Sequence, residues 1–464
     1  MRNTTENSHR WFRGTCVLAL GMIIFALIGF VAYGQLCERC KMVTSAAEQD
    51  PGTTADRQMV ESFAAVGAAD AVTEWNQHAV AFTLTTTPAL APVEQARVMA
   101  IVQVAVHDAV SGLGGKYETY LPRAVPPQGA SAEAAAIAAA HRALQGIFST
   151  PAQLMTLETL YTNSLASHNI APGDTGLAYG RAAAEAILAA RANDGAGAAQ
   201  FDYTPPGAGS PGVWTRINNA PALLPGWGNV APFVIRSADQ FRTEPPLALD
   251  SEEYAKDYNE IKEIGRFAGS TRTPLQTQIA TFWRASPTAI WNPVLVQALA
   301  ATELDISDEA RIFALFYLAA SDASVTCWET KYHYNFWRPQ LAIRSGDLDG
   351  NDATEPDASW TPLFGTPPHP EYSSGHSTNS SALATVLESA FGRDPGMTFQ
   401  VTLGGVTRSW STFDEAVREV IDARVFSGIH FRTADEAGAR QGRQVAQFVL
   451  THALRPCRGQ RGVC

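Results

Sequence analysis

Apolar residues recur along this chain mostly at helical spacing. Residues 96–110, ARVMAIVQVAVHDAV, are apolar nearly all round, which predicts a buried helix. Residues 132–148 and 176–192 are alanine-rich and predict two more. From 68 to about 191 the pattern stays helical. Residues 202–247 break it with repeated prolines and glycines and predict a long irregular crossing segment. Helical spacing resumes at 272–283. Ser307-Asp308-Glu309 supplies an N-cap and an acidic first turn for a helix predicted to reach about Trp337 and to stop before Pro339. On that helix Lys331 and Arg338 are two turns apart and share a face. Residues 344–372 read as a polar, proline-rich loop, and 373–392 as a helix stopped by Gly392. Thr412-x-x-Glu415 and Thr433-x-x-Glu436 predict capping boxes for the last two helices. Strand signals are sparse. The fold class predicted is all-α, a helical bundle in two halves.

The organisation follows. Residues 1–34 carry Arg2, Arg10 and Arg13 ahead of an apolar run over 16–33, which reads as a signal peptide or a membrane anchor. Residues 35–67 are a linker, 68–247 an N-terminal helical half, 248–455 a C-terminal helical domain, and 456–464 a tail. The leader implies an extracytoplasmic address, secreted or periplasmic. The Cys37–Cys40 and Cys457–Cys464 spacings suit local disulfides there, while Cys327 reads as buried. The net charge of −11 excludes general nucleic-acid affinity, so any basic site is local.

Three segments share one chemical theme: Lys331-x6-Arg338-Pro339, Ser374-Gly375-His376 opening a helix, and Arg424-x5-His430 between two helices. Free amides at a helix start, together with the Ser374 hydroxyl and a glycine that admits close approach, suit an anion. Arg338 and Arg424 each offer a planar fork, and Lys331 a point charge. Three cations around two histidines disfavour a dication, and Asp435 is the carboxylate nearest His430 in sequence. The set points to an oxyanion such as phosphate or vanadate.

With these motifs in order, KYHYNFWRP (331–339) followed by HPEYSSGHS (369–377), the chain resembles the vanadium-dependent haloperoxidase and type 2 phosphatidic acid phosphatase superfamily, and its bacterial haloperoxidase branch in particular. The resemblance extends loosely over 68–455. It implies a vanadate cofactor, with phosphate able to take the same place. Lys331, Arg338, Ser374, Gly375 and Arg424 would bind its oxygens, His430 would be the vanadium ligand, and His376 the acid–base residue. Hydrogen peroxide, halide and a small organic acceptor would be the reactants. At the halide pocket Trp328 matches chloride enzymes while His369 matches bromide enzymes, and bromide is favoured. The sequence departs from the family at Ser373, Ala423 and Ala434. The usual acid four residues after the last histidine is displaced to Asp435, a rotation of about 100° on a helix. A phosphomonoesterase using His430 as nucleophile is the alternative, and a vestigial oxyanion-binding scaffold the third reading.

Taken singly, each motif reads as ordinary structure: a solvated cationic face, a helix cap, a buried histidine. His107-Asp108 reads as a buried hydrogen-bonded pair and His333 as packing or surface. Residues 347–352 look calcium-like, but the glycine falls at position four rather than six.

Overall fold

Caps and prolines set most helix boundaries. Asp70 accepts the amides of Val72 and Thr73 and opens α1 (Ala71–Thr85). The computed structural model, which describes residues 70–457, continues with α2 (Pro92–Gly114), α3 (Ala132–Ile147), α4 (Pro151–Ser167) and α5 (Thr175–Arg191). After the irregular crossing come α6 (Glu252–Ile264), α7 (Pro274–Phe282), α8 (Pro287–Ala300), α9 (Ile306–Tyr334) and the short α10 (Pro339–Arg344). The chain ends in α11 (Gly375–Phe391), α12 (Phe413–Phe426) and α13 (Arg432–His452). Among the described residues one hairpin interrupts the helices: β1 (Phe399–Leu403) pairs antiparallel with β2 (Val406–Trp410), Phe399 opposite Trp410. Its two-residue loop is Gly404-Gly405, both at positive φ, the geometry such hairpins favour.

One apolar core runs from Ala71 to Leu454 and draws on α1 to α5 as well as α8, α9 and α11 to α13. Helices α2 and α9 are long and apolar enough to cross a membrane, but 83% and 94% of those stretches is buried inside the protein, so they act as core helices. Two smaller clusters, one around Tyr254, Phe336, Trp337 and Phe431 and one around Leu224, Trp227 and Trp328, flank the C-terminal end of α9. The crossing segment is pinned to α9 by the buried Asp322, whose carboxylate accepts the amides of Phe233, Val234 and Ile235 at 2.6–2.9 Å.

Three predicted boundaries move, each for a visible reason. Asp305 rather than Ser307 caps α9, because its carboxylate accepts the amides of Ser307 and Asp308. Helix α9 stops at Tyr334, not near Trp337, because Asn335 takes the left-handed conformation that ends helices. Lys331 and Arg338 therefore do not share a helix face. Pro339 instead starts α10, where its missing N–H costs nothing, and Arg338 is the residue just before it. Likewise α13 starts at Arg432, so Thr433 lies inside it and no capping box forms. Carboxylates from elsewhere take its first amides: Glu371 accepts from Phe431 N at 3.0 Å and Asp257 from Thr433 N at 2.9 Å.

His107 and Asp108 are buried as expected, yet each bonds the 118–123 loop rather than the other: His107 contacts Glu118 O, and Asp108 accepts from Tyr120 N, Leu121 N and Arg123. His333 is exposed. Asp349 is held by Asn351 N and Thr354 Oγ1, and no cluster able to hold a metal ion occurs among the described residues. Cys327 is free and buried, and Cys457 is disulfide-bonded. The apolar run at 16–33, the linker, Cys37, Cys40 and Cys464 lie outside the described residues.

Helices α11 and α13 approach backbone to backbone. A Cβ on Gly438 would meet Ser374 O at 2.7 Å, and one on Gly442 would meet Thr378 O at 1.9 Å. The two glycines are one turn apart and form one flat strip. Gly442→Ala gains about 1 kcal/mol of helix propensity but forces overpacking against backbone, which costs about 1–3 kcal/mol or more. We expect a net loss of stability in urea denaturation, whereas Gly365→Ala, where an added Cβ meets nothing within 4 Å, leaves the midpoint nearly unchanged.

Candidate oxyanion site

The last turn of α9 carries Lys331 inward. Its ammonium is fully buried and donates to three carbonyls of one loop, Pro370 O, Glu371 O and Ser373 O, at 2.5–3.1 Å. Arg338, also fully buried, donates through Nε to His369 O at 2.9 Å and through Nη1 to Ile429 O at 2.8 Å. The same Nη1 lies 3.2 Å from His430 Nε2, and Nη2 lies 2.9 Å from His369 Nδ1. Arg424, in the last turn of α12, donates to Trp283 O at 2.7 Å, while its buried Nε has no hydrogen-bond partner.

Helix α11 begins at Gly375, and the Ser374 side chain does not cap it. The Ser374 hydroxyl is near enough to Asp435 to favour the ionised carboxylate, yet it closes no hydrogen bond of normal length. A Cβ on Gly375 would press on Trp328 Cζ3 at 3.3 Å, so glycine is what lets that indole lie against the helix start. Trp328 also faces His369, with ring centroids 5.0 Å apart. His376 contacts Ala285 O through Nε2 at 3.2 Å. All seven predicted oxyanion-site residues, together with Trp328 and His369, thus lie in one buried cluster, although α9, the turn before α10, the start of α11 and the segment leading into it, the end of α12 and the α12–α13 loop supply them.

Burial dominates the electrostatics. It pushes the Lys331 ammonium down to about 8, and Arg338 and Arg424 each down to about 10, with the guanidinium–ammonium proximity adding to the fall at Lys331. His369, His376 and His430 are driven well below the usual histidine value by burial and then by the neighbouring cations, so all three are neutral at pH 7. Burial raises Glu371 to about 8 and Asp435 to about 7 in spite of those cations. The result is a water-poor cluster with excess positive charge, uncapped donors at Ser374 and Arg424, and an imidazole edge at His430. An anion with several oxygens fits that donor set.

Two parts of this site are not apparent in the sequence motifs. Glu371, fully buried, lies against His430, its Oε1 2.9 Å from Nδ1. Asp435, the acid close to His430 in sequence, instead accepts from Ser377 Oγ at 2.8 Å. The carboxylate expected beside His430 therefore comes from another segment, because the first turn of α13 directs Asp435 toward α11. The second part is the α7–α8 turn: Trp283 and Ala285 give carbonyls to the site, and Arg284, stacked over Phe364 at 4.1 Å, adds to the positive field at Arg424. Glu371 had one signal, its place inside the run 369–377 that otherwise feeds the site.

A family model for the VCPO second helical-bundle domain matches residues 311–459, the stretch that holds every motif. A crystal structure of a bacterial vanadium-dependent iodoperoxidase superposes with a TM-score of 0.70 at 26% identity, over 84% of this chain and 97% of that one. These likenesses support the vanadium haloperoxidase superfamily, with the family model covering about a third of the chain. Vanadium chloroperoxidase of Curvularia inaequalis is 24% identical over 188 residues, 34% of this chain, and the match spans 31% of that relative's length. An apo-type bacterial vanadium-dependent chloroperoxidase shares the fold, with a TM-score of 0.63 and 17% identity over 78% of this chain and 93% of that one. The helical architecture agrees with the all-α expectation.

Anion binding favours the charged Lys331 and the protonated carboxyls. Lys331 has its folded value depressed to about 8, so its ammonium is present below that pH and is lost above it. Glu371 and Asp435, raised to about 8 and 7, gain negative charge over the same interval. All three changes have one sign. Sulfate, whose charge is constant there, is expected to bind with full affinity below pH 7 and progressively more weakly from pH 7 to 9 by calorimetry. Lys331→Met should bind sulfate less tightly at pH 6.5 and show a shallower fall.

Proposed function

We propose that this protein is a vanadium-dependent haloperoxidase that uses hydrogen peroxide to oxidise halide, bromide in preference to chloride, ahead of a small organic acceptor. The observation that carries the proposal is that three buried cations, Arg338, Lys331 and Arg424, all act on His430, whose Nε2 lies 3.2 Å from Arg338, in a cluster that also holds the uncapped Ser374–Gly375 turn. The donor set fits vanadate. Lys331, Arg338, Arg424, the Ser374 hydroxyl and the Gly375 amide would hold its oxygens, and His430 Nε2 would hold the metal. Vanadate, when bound, supplies a Lewis-acid centre that activates peroxide toward a nucleophilic halide.

The protein's own groups divide the remaining tasks. Arg338 donates to Nε2, and an arginine can only donate, so that nitrogen carries its lone pair inward. His376 gives its Nε2–H to Ala285 O, which leaves Nδ1 as the proton-accepting atom. A negative charge in the cradle opposes the cations that depress His376 and brings it closer to neutral pH, where an acid–base residue works best. His369 is buried between Trp328 and Arg338 and gives the halide side a polar edge beside an indole wall, which supports bromide over chloride. The iodoperoxidase likeness makes iodide the comparison to run alongside. The basic, apolar N-terminus supports an extracytoplasmic location.

Enclosure ranks this reading above a phosphomonoesterase. Trp328, Phe336, Trp337 and Tyr372 are each buried beside the motifs, with His369 facing Trp328 and Glu371 N donating to Phe336 O. Peroxide and halide need little room, whereas a phosphate ester needs a wide mouth. Against a vestigial scaffold, Glu371 lies against His430 Nδ1 where the displaced acid Asp435 does not.

The test is vanadate-loaded protein assayed with peroxide and bromide, iodide or chloride, beside apo-protein assayed on p-nitrophenyl phosphate. We expect vanadate-dependent bromination and only slow, vanadate-suppressed hydrolysis. Arg338→Ala and Arg424→Ala each remove a charge-assisted contact of about 1.5–3 kcal/mol, so vanadate affinity should fall about tenfold to a hundredfold. Arg440→Ala, at an exposed position on α13, should bind as the parent does. Fast phosphatase turnover with no halogenation would make the hydrolase reading primary.

A further inference from the structure

Glu371 has no role in the motifs that define the site, yet the geometry gives it one. We infer that Glu371 is a positioning residue that holds the imidazole of His430 in its Nδ1–H tautomer and so keeps Nε2 as the electron-pair donor toward a bound oxyanion. The inference rests on the oxyanion reading above.

The tautomer follows from which neighbours are able to donate. Arg338 Nη1 lies 3.2 Å from Nε2 and has only protons to offer, so Nε2 accepts and carries none. The proton of the neutral ring therefore sits on Nδ1, 2.9 Å from Glu371 Oε1. That oxygen also receives the amide of Phe431 at 3.0 Å, and a backbone N–H likewise only donates. Oε1 is thus an acceptor twice over. It remains one whether the carboxyl is ionised or carries a proton on Oε2, so the assignment does not depend on the charge of Glu371.

The two restraints differ in permanence. Arg338 is itself part of the cradle, and its Nη1 is the same atom that would turn to an incoming oxyanion. Once it does, the guanidinium no longer specifies which ring nitrogen is bare. Glu371 lies on the opposite edge of the ring, is fully buried, and is tied to the backbone of the residue after His430. It keeps its hold when the anion arrives. Its main chain is tied as well: Glu371 O accepts from Lys331 Nζ at 2.8 Å, and Glu371 N donates to Phe336 O at 2.9 Å. One residue therefore couples the orientation of His430 to the placement of Lys331. A carboxylate or carbonyl behind a ligating imidazole fixes the ring and raises its basicity, and loss of such a partner typically weakens metal affinity about tenfold to a hundredfold.

The test separates this role from general stability and from the haloperoxidase reading. Full-length apo-protein labelled with 15N-histidine is examined by long-range 1H–15N NMR, with His430 assigned by its loss in His430→Gln. Orthovanadate affinity is measured on the same samples by equilibrium dialysis, and folding is checked by thermal melts. Parent protein is expected to show His430 as a fixed Nδ1–H tautomer. Glu371→Gln keeps an amide oxygen that accepts from both N–H groups, so tautomer and affinity should stay close to parent. Glu371→Met preserves length without an acceptor. It should lose the single fixed tautomer and bind orthovanadate about tenfold to a hundredfold more weakly. Parent His430 with its proton on Nε2 overturns the inference. So does a folded Glu371→Met that keeps the Nδ1–H tautomer and parent affinity, or a Glu371→Gln that falls as far as Glu371→Met. If Glu371→Met does not fold, the parent and Glu371→Gln spectra still decide, since both read the tautomer directly. Because the spectra need neither vanadium nor turnover, a protein that takes up no vanadate would sink the haloperoxidase reading while the tautomer result stands on its own.

Discussion

The structure is organised by the need to bury three cations without burying three anions beside them. An unpaired charge moved into a protein interior is costly unless dipoles replace the lost water. Here backbone carbonyls do so. Lys331 is solvated by the carbonyls of 370, 371 and 373, Arg338 by those of 369 and 429, and Arg424 by that of Trp283. Carbonyls inside regular helices are already taken by the helix, so this solvation has to come from irregular backbone. That requirement explains why the site sits where four loops meet rather than on the flank of a bundle, and why so much chain around it is neither helix nor strand.

Irregular backbone must then be held still, and the helices do that at very short range. The strip formed by Gly438 and Gly442 brings α13 against the backbone of α11, and Ser374 N donates to Ala434 O across the join at 3.1 Å. Gln441 bonds Thr330 on α9, Ser373 ahead of α11 and Phe241 O in the crossing segment, so one side chain joins three of the elements that meet at the site. The crossing itself is fastened by Asp322 and then lies over the end of α9, where Trp214 N donates to Asn335 O and Trp337 N to Gly212 O. The proline- and glycine-rich crossing segment is thus tied to the end of the helix that carries Lys331.

Those features divide what the sequence disclosed from what it concealed. Helices with long apolar runs or strong caps were legible: α2, α3, α5, α11 and α12 lie where periodicity and capping put them, because propensity and burial agree there. The grouping of the seven motif residues was legible because each motif keeps its internal spacing, and spacing survives even when the connecting backbone is misjudged. It was misjudged at 335–338. Nothing local outranks a helical reading of NFWR until Asn335 is seen in the left-handed region, a conformation that asparagine tolerates but does not announce. The missing cap on α13 and the partner of His430 share another cause. Both depend on Glu371, which is 59 residues from His430 along the chain. Local pattern reading reports neighbours along a helix or strand, and a loop acid that serves a distant helix start carries no such pattern. Asp435 was the natural candidate by proximity, and the direction of the first turn of α13 removed it.

The two buried carboxyls then explain why the cradle asks for an anion at all. Glu371 and Asp435 have three cations close by, and ordinarily that would hold both ionised and leave the cluster nearly balanced. Desolvation is the larger influence at each, and it lifts them to about 8 and 7. Near neutral pH they therefore compensate the cations only in part, and they do so from behind: Glu371 is spent on His430 and the Phe431 amide, and Asp435 on Ser377. The uncompensated charge remains in a cluster that also holds the unpartnered Ser374 hydroxyl, the bare nitrogen of His430 and the unpaired Nε of Arg424. A halide is too small to meet all of these donors at once, and a carboxylate offers only two oxygens. A tetrahedral oxyanion, able to accept in several directions while leaving one direction for an imidazole, satisfies the charge and the geometry together.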